Sequence, residues 1–364
     1  FVVTDKINFI TNGNHKTVQL VAWGQNAHYY VANQTANGVP IVYLDRGTSP
    51  GPLDSTWIND KPYVIYGGYL TLDGDDKLTI EAGVRVHLHN NSGIWVYENG
   101  NIQVNGTSSN PVTFQGTRLE YAWQDVPGQW DRIWINEGTS DNVFNYAIIK
   151  NGFIGIQAET NPFNPGAPTS TNTLRLNNCE IHNNSAAGIL ATNYKITDTN
   201  SVISNSGQFN LLVKGGGDYR FNHTTIANYW SGGNRQTPAV FLQNYFTDDT
   251  GATQVRDITA ANFYNCIIHG DKDVEFDKDE LAPGTINFLF DHCILKTTNS
   301  TAGANYVSLI LNPTATIFVD KTLHNYHLDA SSPAIGAGVY IGVNSDHDGN
   351  PRDFVNPDLG AFEY

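Results

Sequence analysis

One eight-residue pattern recurs six times between residues 144 and 297. The copies are Phe144-Asn-Tyr-Ala-Ile-Ile-Lys-Asn151, Leu176-Asn-Asn-Cys-Glu-Ile-His-Asn183, Asp198-Thr-Asn-Ser-Val-Ile-Ser-Asn205, Phe221-Asn-His-Thr-Thr-Ile-Ala-Asn228, Phe263-Tyr-Asn-Cys-Ile-Ile-His-Gly270 and Phe290-Asp-His-Cys-Ile-Leu-Lys-Thr297. Their starts lie 32, 22, 23, 42 and 27 residues apart, so the unit is about 22 to 24 residues with insertions in the longer intervals. Down the columns the chemistry is constant. The first position is aromatic or Leu except at Asp198, and the fourth is small (Ala147, Cys179, Ser201, Thr224, Cys266, Cys293). The sixth is Ile or Leu, the third is mostly Asn or His, and the eighth is Asn in four consecutive units.

Like residues at a fixed offset are what a parallel coil produces, because each strand lies in register on the one below at about 4.8 Å. Two further β runs complete each unit, as in Gly188-Ile-Leu190 and Thr173-Leu-Arg-Leu176. Three short strands per turn predict an all-β chain folded as a right-handed parallel β-helix, the hand that parallel crossovers adopt. Simpler alternating runs upstream (Leu78-Thr-Ile80, Val84-Arg-Val-His-Leu88, Ile94-Trp-Val96) extend the solenoid towards the N-terminus. The expected organisation is residues 1–45 as the end of a β-sandwich-like domain and linker, 46–330 as the β-helix, and 331–364 as a C-terminal capping tail.

Composition narrows the partners. With 20 Lys+Arg against 35 Asp+Glu the net charge is −15, which excludes a nucleic-acid surface. No apolar run reaches the roughly 18 residues of a membrane-spanning helix. Three cysteines in 364 residues make no disulfide framework, and their shared small column predicts inward packing.

The tail Ser332-Pro-Ala-Ile-Gly-Ala-Gly338, Asp346-His-Asp-Gly-Asn-Pro-Arg352 and Pro357-Asp-Leu-Gly-Ala-Phe-Glu-Tyr364 resembles that of bacterial surface β-helix proteins of the choice-of-anchor Q type. Gly336 stands where that tail usually carries Asp. Together with Tyr63-Val-Ile-Tyr-Gly67, Leu78-Thr-Ile-Glu-Ala-Gly-Val84 and Val126-Pro-Gly-Gln-Trp130, the chain is similar to Bacteroidota β-helix lipoproteins, pectate-lyase-like solenoids, over about residues 15–364. That resemblance implies an extracellular or outer-membrane-surface protein. It also implies that Ile7–Gly13 and Val18–Trp23 are the last strands of an immunoglobulin-like domain. Membrane attachment would then run only through a lipid anchor on residues preceding this chain.

Candidate chemistry is scattered. His182 and Lys150 share the seventh repeat position, which should point outward, and with Arg118 they would serve a polysaccharide lyase as base and cations. The acidic stretches (Asp248, Asp249, Asp271, Asp273, Glu275, Asp277, Asp279, Glu280) fall in insertions and read as solvated loops. Asp346, Asp348 and Asn350 open like a calcium loop but lack its closing Glu, so calcium is the one cofactor left open. Aromatic and Arg residues on the insertions form the candidate ligand-binding set: Arg118, Tyr121, Trp123, Trp130, Arg132, Trp230, Arg235, Tyr245 and Arg256. Ring faces stack on sugars, and Arg binds hydroxyls or carboxylates. Insertions 159–171 and 243–260 leave the coil at the same point of the unit, and should form one rim.

The function expected is non-catalytic binding of a glycan or another envelope protein at the cell surface. The alternatives are a polysaccharide lyase or glycoside hydrolase, and a structural subunit of an outer-membrane surface complex.

Overall fold

The computed structural model describes residues 2–23, 26–45, 53–161 and 164–364. The repeat becomes a parallel β-helix. One face is an 11-stranded sheet whose neighbours are all parallel, running from His28–Val31 through Ala147–Lys150 and Glu180–His182 to Ile310–Leu311. The other two faces merge into an 18-stranded sheet, because Ala187–Thr199 and Phe209–Asn222 run unbroken from the second face into the third.

The isoleucine column is one continuous ladder. Phe114, Ile149, Ile181, Ile203, Ile226, Ile268 and Leu295 are successive register partners and are fully buried. On the third face Phe221 stacks on Phe263 at 5.1 Å and Phe263 on Phe290 at 4.7 Å, with ring planes within 10°. The fourth-position cysteines are buried and free, with Cys266 N–H donating to Cys293 Sγ at 3.3 Å. The reason is steric: the rung below presents the same side chain at the same place, so identical shapes interlock.

Asp198 breaks the aromatic column. It lies between Leu176 and Phe221, fully buried, with Thr224 Oγ1 donating to one oxygen and the other without a partner. Burial pushes its carboxyl up to about 6. A carboxyl whose folded pKa lies above its unfolded value stabilises the fold only while protonated. That contribution is complete below about pH 3.8 and is lost as pH rises through 6. Asp198→Asn is therefore expected to gain about 2–3 kcal/mol over the native chain at pH 7.5 and nothing at pH 3.5. Unfolding midpoints measured across that range test it, and parallel pH profiles for the two proteins would refute it.

The corner between the third and first faces is turned by single left-handed residues: Asn178, Asn200, His223, Asn265 and His292, with φ from 51° to 58°. Asn tolerates that conformation best among residues with a side chain, and His is also enriched there. These residues do more than turn the chain. Asn178 Nδ2 donates to the carbonyl of His347 (3.3 Å), Asn200 Nδ2 to Ser345 (2.7 Å) and Asn265 Nδ2 to Val339 (2.7 Å), while His223 Nδ1 meets the Asp358 carbonyl (3.1 Å).

The C-terminal tail is thus not an end cap. It lies along the flank of the first sheet, where Val202, Ala227, Ile267 and Ile294 point outward and pack under Phe318, Tyr326, Leu328, Leu359 and Phe362. A sheet apolar on both faces must be covered on both. The expected domain boundary also moves. The neighbouring segment 46–52 lies outside the described residues, but His28–Val31 and Val39–Tyr43 already pair with Tyr63–Tyr66 and Tyr69–Leu72 as the first rung. Before them, Val2–Thr11 and Asn14–Trp23 form an antiparallel hairpin.

Candidate functional site

Outward residues on the first sheet follow the same register as the core. At its N-terminal end the tail does not reach them, and Tyr66 stacks on His89 one rung up (4.3 Å, 18°). His89 Nδ1 lies 3.0 Å from Thr117 Oγ1 on the next rung. Beside Thr117 opens a cleft of about 430 Å³ lined by Gln115, Arg118, Gln124, Gln129, Lys150 and Asn151. Two of the three lyase candidates, Arg118 and Lys150, therefore share a cleft whose lining has no carboxylate.

Arg118 is pre-oriented there. Its guanidinium lies 4.1 Å over the Trp123 ring and its Nε donates to both oxygens of Glu120 at 3.1 Å, which leaves its terminal nitrogens for a ligand. Gln129 Nε2 donates to the carbonyls of Trp123 (2.7 Å) and Val126 (2.8 Å), fixing the insertion that carries them. Tyr121 on the same insertion is 90 % exposed.

His182 does not join them. It is Lys150's register partner, but His324 from the segment preceding the tail sits over it at 5.4 Å between ring centroids. Its Nδ1 is buried without a partner, and burial pulls its pKa down to about 4, so the ring is neutral. The outward column expected to be solvated is thus sealed in mid-length. His269, in the same column, is bonded to Tyr229 through Nδ1 (2.7 Å), and burial likewise lowers it to about 4.

Several candidate binding residues prove structural. Trp130 is in the core, its Nε1 donating to the Lys150 carbonyl at 2.9 Å. Arg132 is held by Asp131 (2.9 Å) and Gln157. Trp230 is half-buried with Gly207 and Gly232 against its ring, and Tyr245 donates to Asp279. Arg235 is fully buried: it donates to both oxygens of Glu275 (2.6 and 2.8 Å), to Asp271, and to the carbonyls of Thr237 (2.7 Å) and Asn228 (3.0 Å). Glu275, expected in a solvated loop, is equally buried and also accepts from Ala239 and Lys272 N–H groups. An insertion that returns to the coil needs its charges neutralised where it docks, and this pair does that.

The calcium candidates diverge. Asp346 is buried and accepts from the backbone of Asn350 (2.7 Å) and Glu363 (2.9 Å) and from the Asn350 amide (3.2 Å). Asp348 instead pairs with His327 Nε2 at 2.8 Å. Among the described residues no cluster of three or more His, Cys, Asp or Glu is placed to hold a metal.

The two insertions expected to share a rim do so. Residues 159–161, 164 and 165 of the first and 246–250 and 256 of the second line a cleft of about 300 Å³ at the corner between the second and third faces. Arg256 donates across it to the Pro165 carbonyl and lies over the Phe246 ring at 5.4 Å. Residues 162 and 163 lie outside the described residues. Sequence reading had missed two groups. Tyr66 and His89 are visible only once the register is known, and Thr192 and Lys214 form the floor of the corner cleft.

Compared with known protein families the chain matches none, and no characterised protein matches it. No helix among the described residues is long and apolar enough to cross a membrane.

Proposed function

We propose that this protein is a non-catalytic β-helix that binds an acidic glycan along the uncovered end of its first sheet. The binding strip runs from Tyr66 and His89 to Arg118 and Lys150, four rungs spanning about 14 Å, which suits a stretch of polymer better than a small metabolite. The carrying observation is that two cationic side chains line one cleft, Lys150 and an Arg118 held from behind by Glu120, on a chain of net charge −15. Ring faces supply stacking, and Arg118 and Lys150 supply charge-assisted bonds to sugar carboxylates. A ligand of this kind belongs outside the cell or on its surface.

The lyase reading uses the same cleft and needs a base there. His182, one of the two bases it called on, lies under His324, and the cleft lining has no Asp or Glu, so proton abstraction would fall to Lys150, the other. Affinity electrophoresis in polygalacturonate, with dextran as the neutral control, tests the proposal. Retardation in polygalacturonate alone is expected, weakened at least tenfold in Arg118→Ala/Lys150→Ala. Accumulation of unsaturated, ultraviolet-absorbing product would replace binding with lyase activity, and retardation in neither gel would remove the glycan.

A further inference from the structure

The corner cleft lies on a different edge of the solenoid from the strip just described and is built with its own devices. Lys214 is followed by Gly215, Gly216 and Gly217, all at left-handed φ (65°, 101° and 118°). A side chain at Gly215 would strike the Phe246 ring, and one at Gly216 would come within 2.9 Å of both Arg256 Cβ and Asn193 Oδ1. The glycines therefore seat the second insertion hard against the coil, and Arg256 ties it to the first through Pro165.

The floor is three residues on successive rungs, Glu159, Thr192 and Lys214, paired in register. Two of the three acids lining the cleft are engaged by the protein itself. Glu159 Oε1 accepts from Trp134 Nε1 (2.5 Å) and Gln157 Nε2 (2.8 Å). Asp248 caps its own loop through Thr250, Ala252 and Gln254. Lys214 has no partner for its ammonium among the described residues. Thr192, 93 % buried beside it, has a hydroxyl with no hydrogen-bond partner. A buried hydroxyl left unpaired is costly, and native structures tolerate few of them.

We propose that this corner cleft is a second binding site, for a small organic carboxylate about one sugar ring in size, held by Lys214 and Thr192. The ammonium and the hydroxyl, on adjacent rungs about 4.8 Å apart, present two donors to the two oxygens of one carboxylate. The Thr192 hydroxyl is buried, so binding requires its side chain to turn about χ1 towards Lys214. Phe246 and Pro165 offer an apolar wall, and Asn164, Thr247 and Thr250 offer hydroxyl and amide partners for the ligand body.

Titration calorimetry of the intact chain with D-glucuronate, D-glucose and N-acetylphenylalanine tests this. Glucuronate is expected to bind at least tenfold more tightly than glucose, and the acetylated amino acid shows whether the body must be a sugar or only carry the carboxylate. Thr192→Val should lose at least tenfold in affinity without a lower unfolding midpoint, and Lys214→Gln should lose as much. Arg118→Ala/Lys150→Ala should bind glucuronate in this cleft like the native chain, which separates the site from the glycan strip. Failure of both carboxylates to bind, or undiminished binding by Thr192→Val and Lys214→Gln, would overturn the assignment.

Discussion

Replacing Glu275 with Ala is expected to cost about 3–5 kcal/mol of stability, the largest loss from any single substitution in an insertion. The change removes one carboxylate but leaves the Arg235 guanidinium where no water reaches it. Asp271, which is partly exposed, then remains as its sole anionic partner. The carboxylate of Glu275 also satisfies the N–H groups of Lys272 and Ala239, so with the two terminal nitrogens of Arg235 four donors lose an acceptor together. The mechanism predicts an asymmetry. Removing both charges, in Arg235→Met/Glu275→Leu, should cost less than Glu275→Ala alone, because no buried charge is stranded. Urea unfolding of the three proteins measures this. A Glu275→Ala protein within 1 kcal/mol of the native chain would show that the ion pair is dispensable.

Arg352→Ala should free the tail. The guanidinium is fully buried and donates to the carbonyls of Asp358 (3.3 Å), Gly360 (2.9 Å) and Ala361 (3.1 Å), to Glu363 (2.9 Å), and across to Asn200 Oδ1 on the coil (2.9 Å). It thus folds the tail on itself and fastens it to the left-handed corner. Hydrogen bonds to charged groups contribute about 1.5–3 kcal/mol each and are not additive, so a loss of about 3–5 kcal/mol in tail docking is expected. Arg352→Lys should rescue little, since an ammonium cannot present the planar fork that reaches five acceptors. Hydrogen exchange localises the effect. Amides of 331–364 should exchange faster while Ile149, Ile181 and Ile203 stay protected, and unchanged exchange in the tail would count against the clasp.

The solenoid was legible in the sequence because its register is a local property. The unit is 22 to 24 residues plus any insertion, and the rows Phe144–Leu176 and Ile149–Ile181 keep a large apolar side chain on the same side of the sheet even across an insertion. The shared exit of insertions 159–171 and 243–260 was readable for the same reason: position within the unit sets direction in space. Even the tail's place had a signal, since Val202, Ile267 and Ile294 are apolar at outward positions and require a cover.

Other features could not be read that way. Arg235 and Trp230 look alike in sequence, as large residues on one insertion, yet one is a buried ion-pair partner and the other a half-buried ring. What separates them is Glu275, 40 residues away, and no periodicity links the two. His182 occupies the same column as Lys150, but His324, beyond the last repeat, covers only the first of them.

The amino-acid order alone was enough to set the ladders of Ile, Phe and Asn, because stacking like on like pays at every rung and any slip would misplace all of them at once. Only the folded chain decided which outward residues meet solvent, which meet the tail and which face each other across a cleft. Those contacts join segments with no common period, and their energy depends on which side chains arrive at the same point in space.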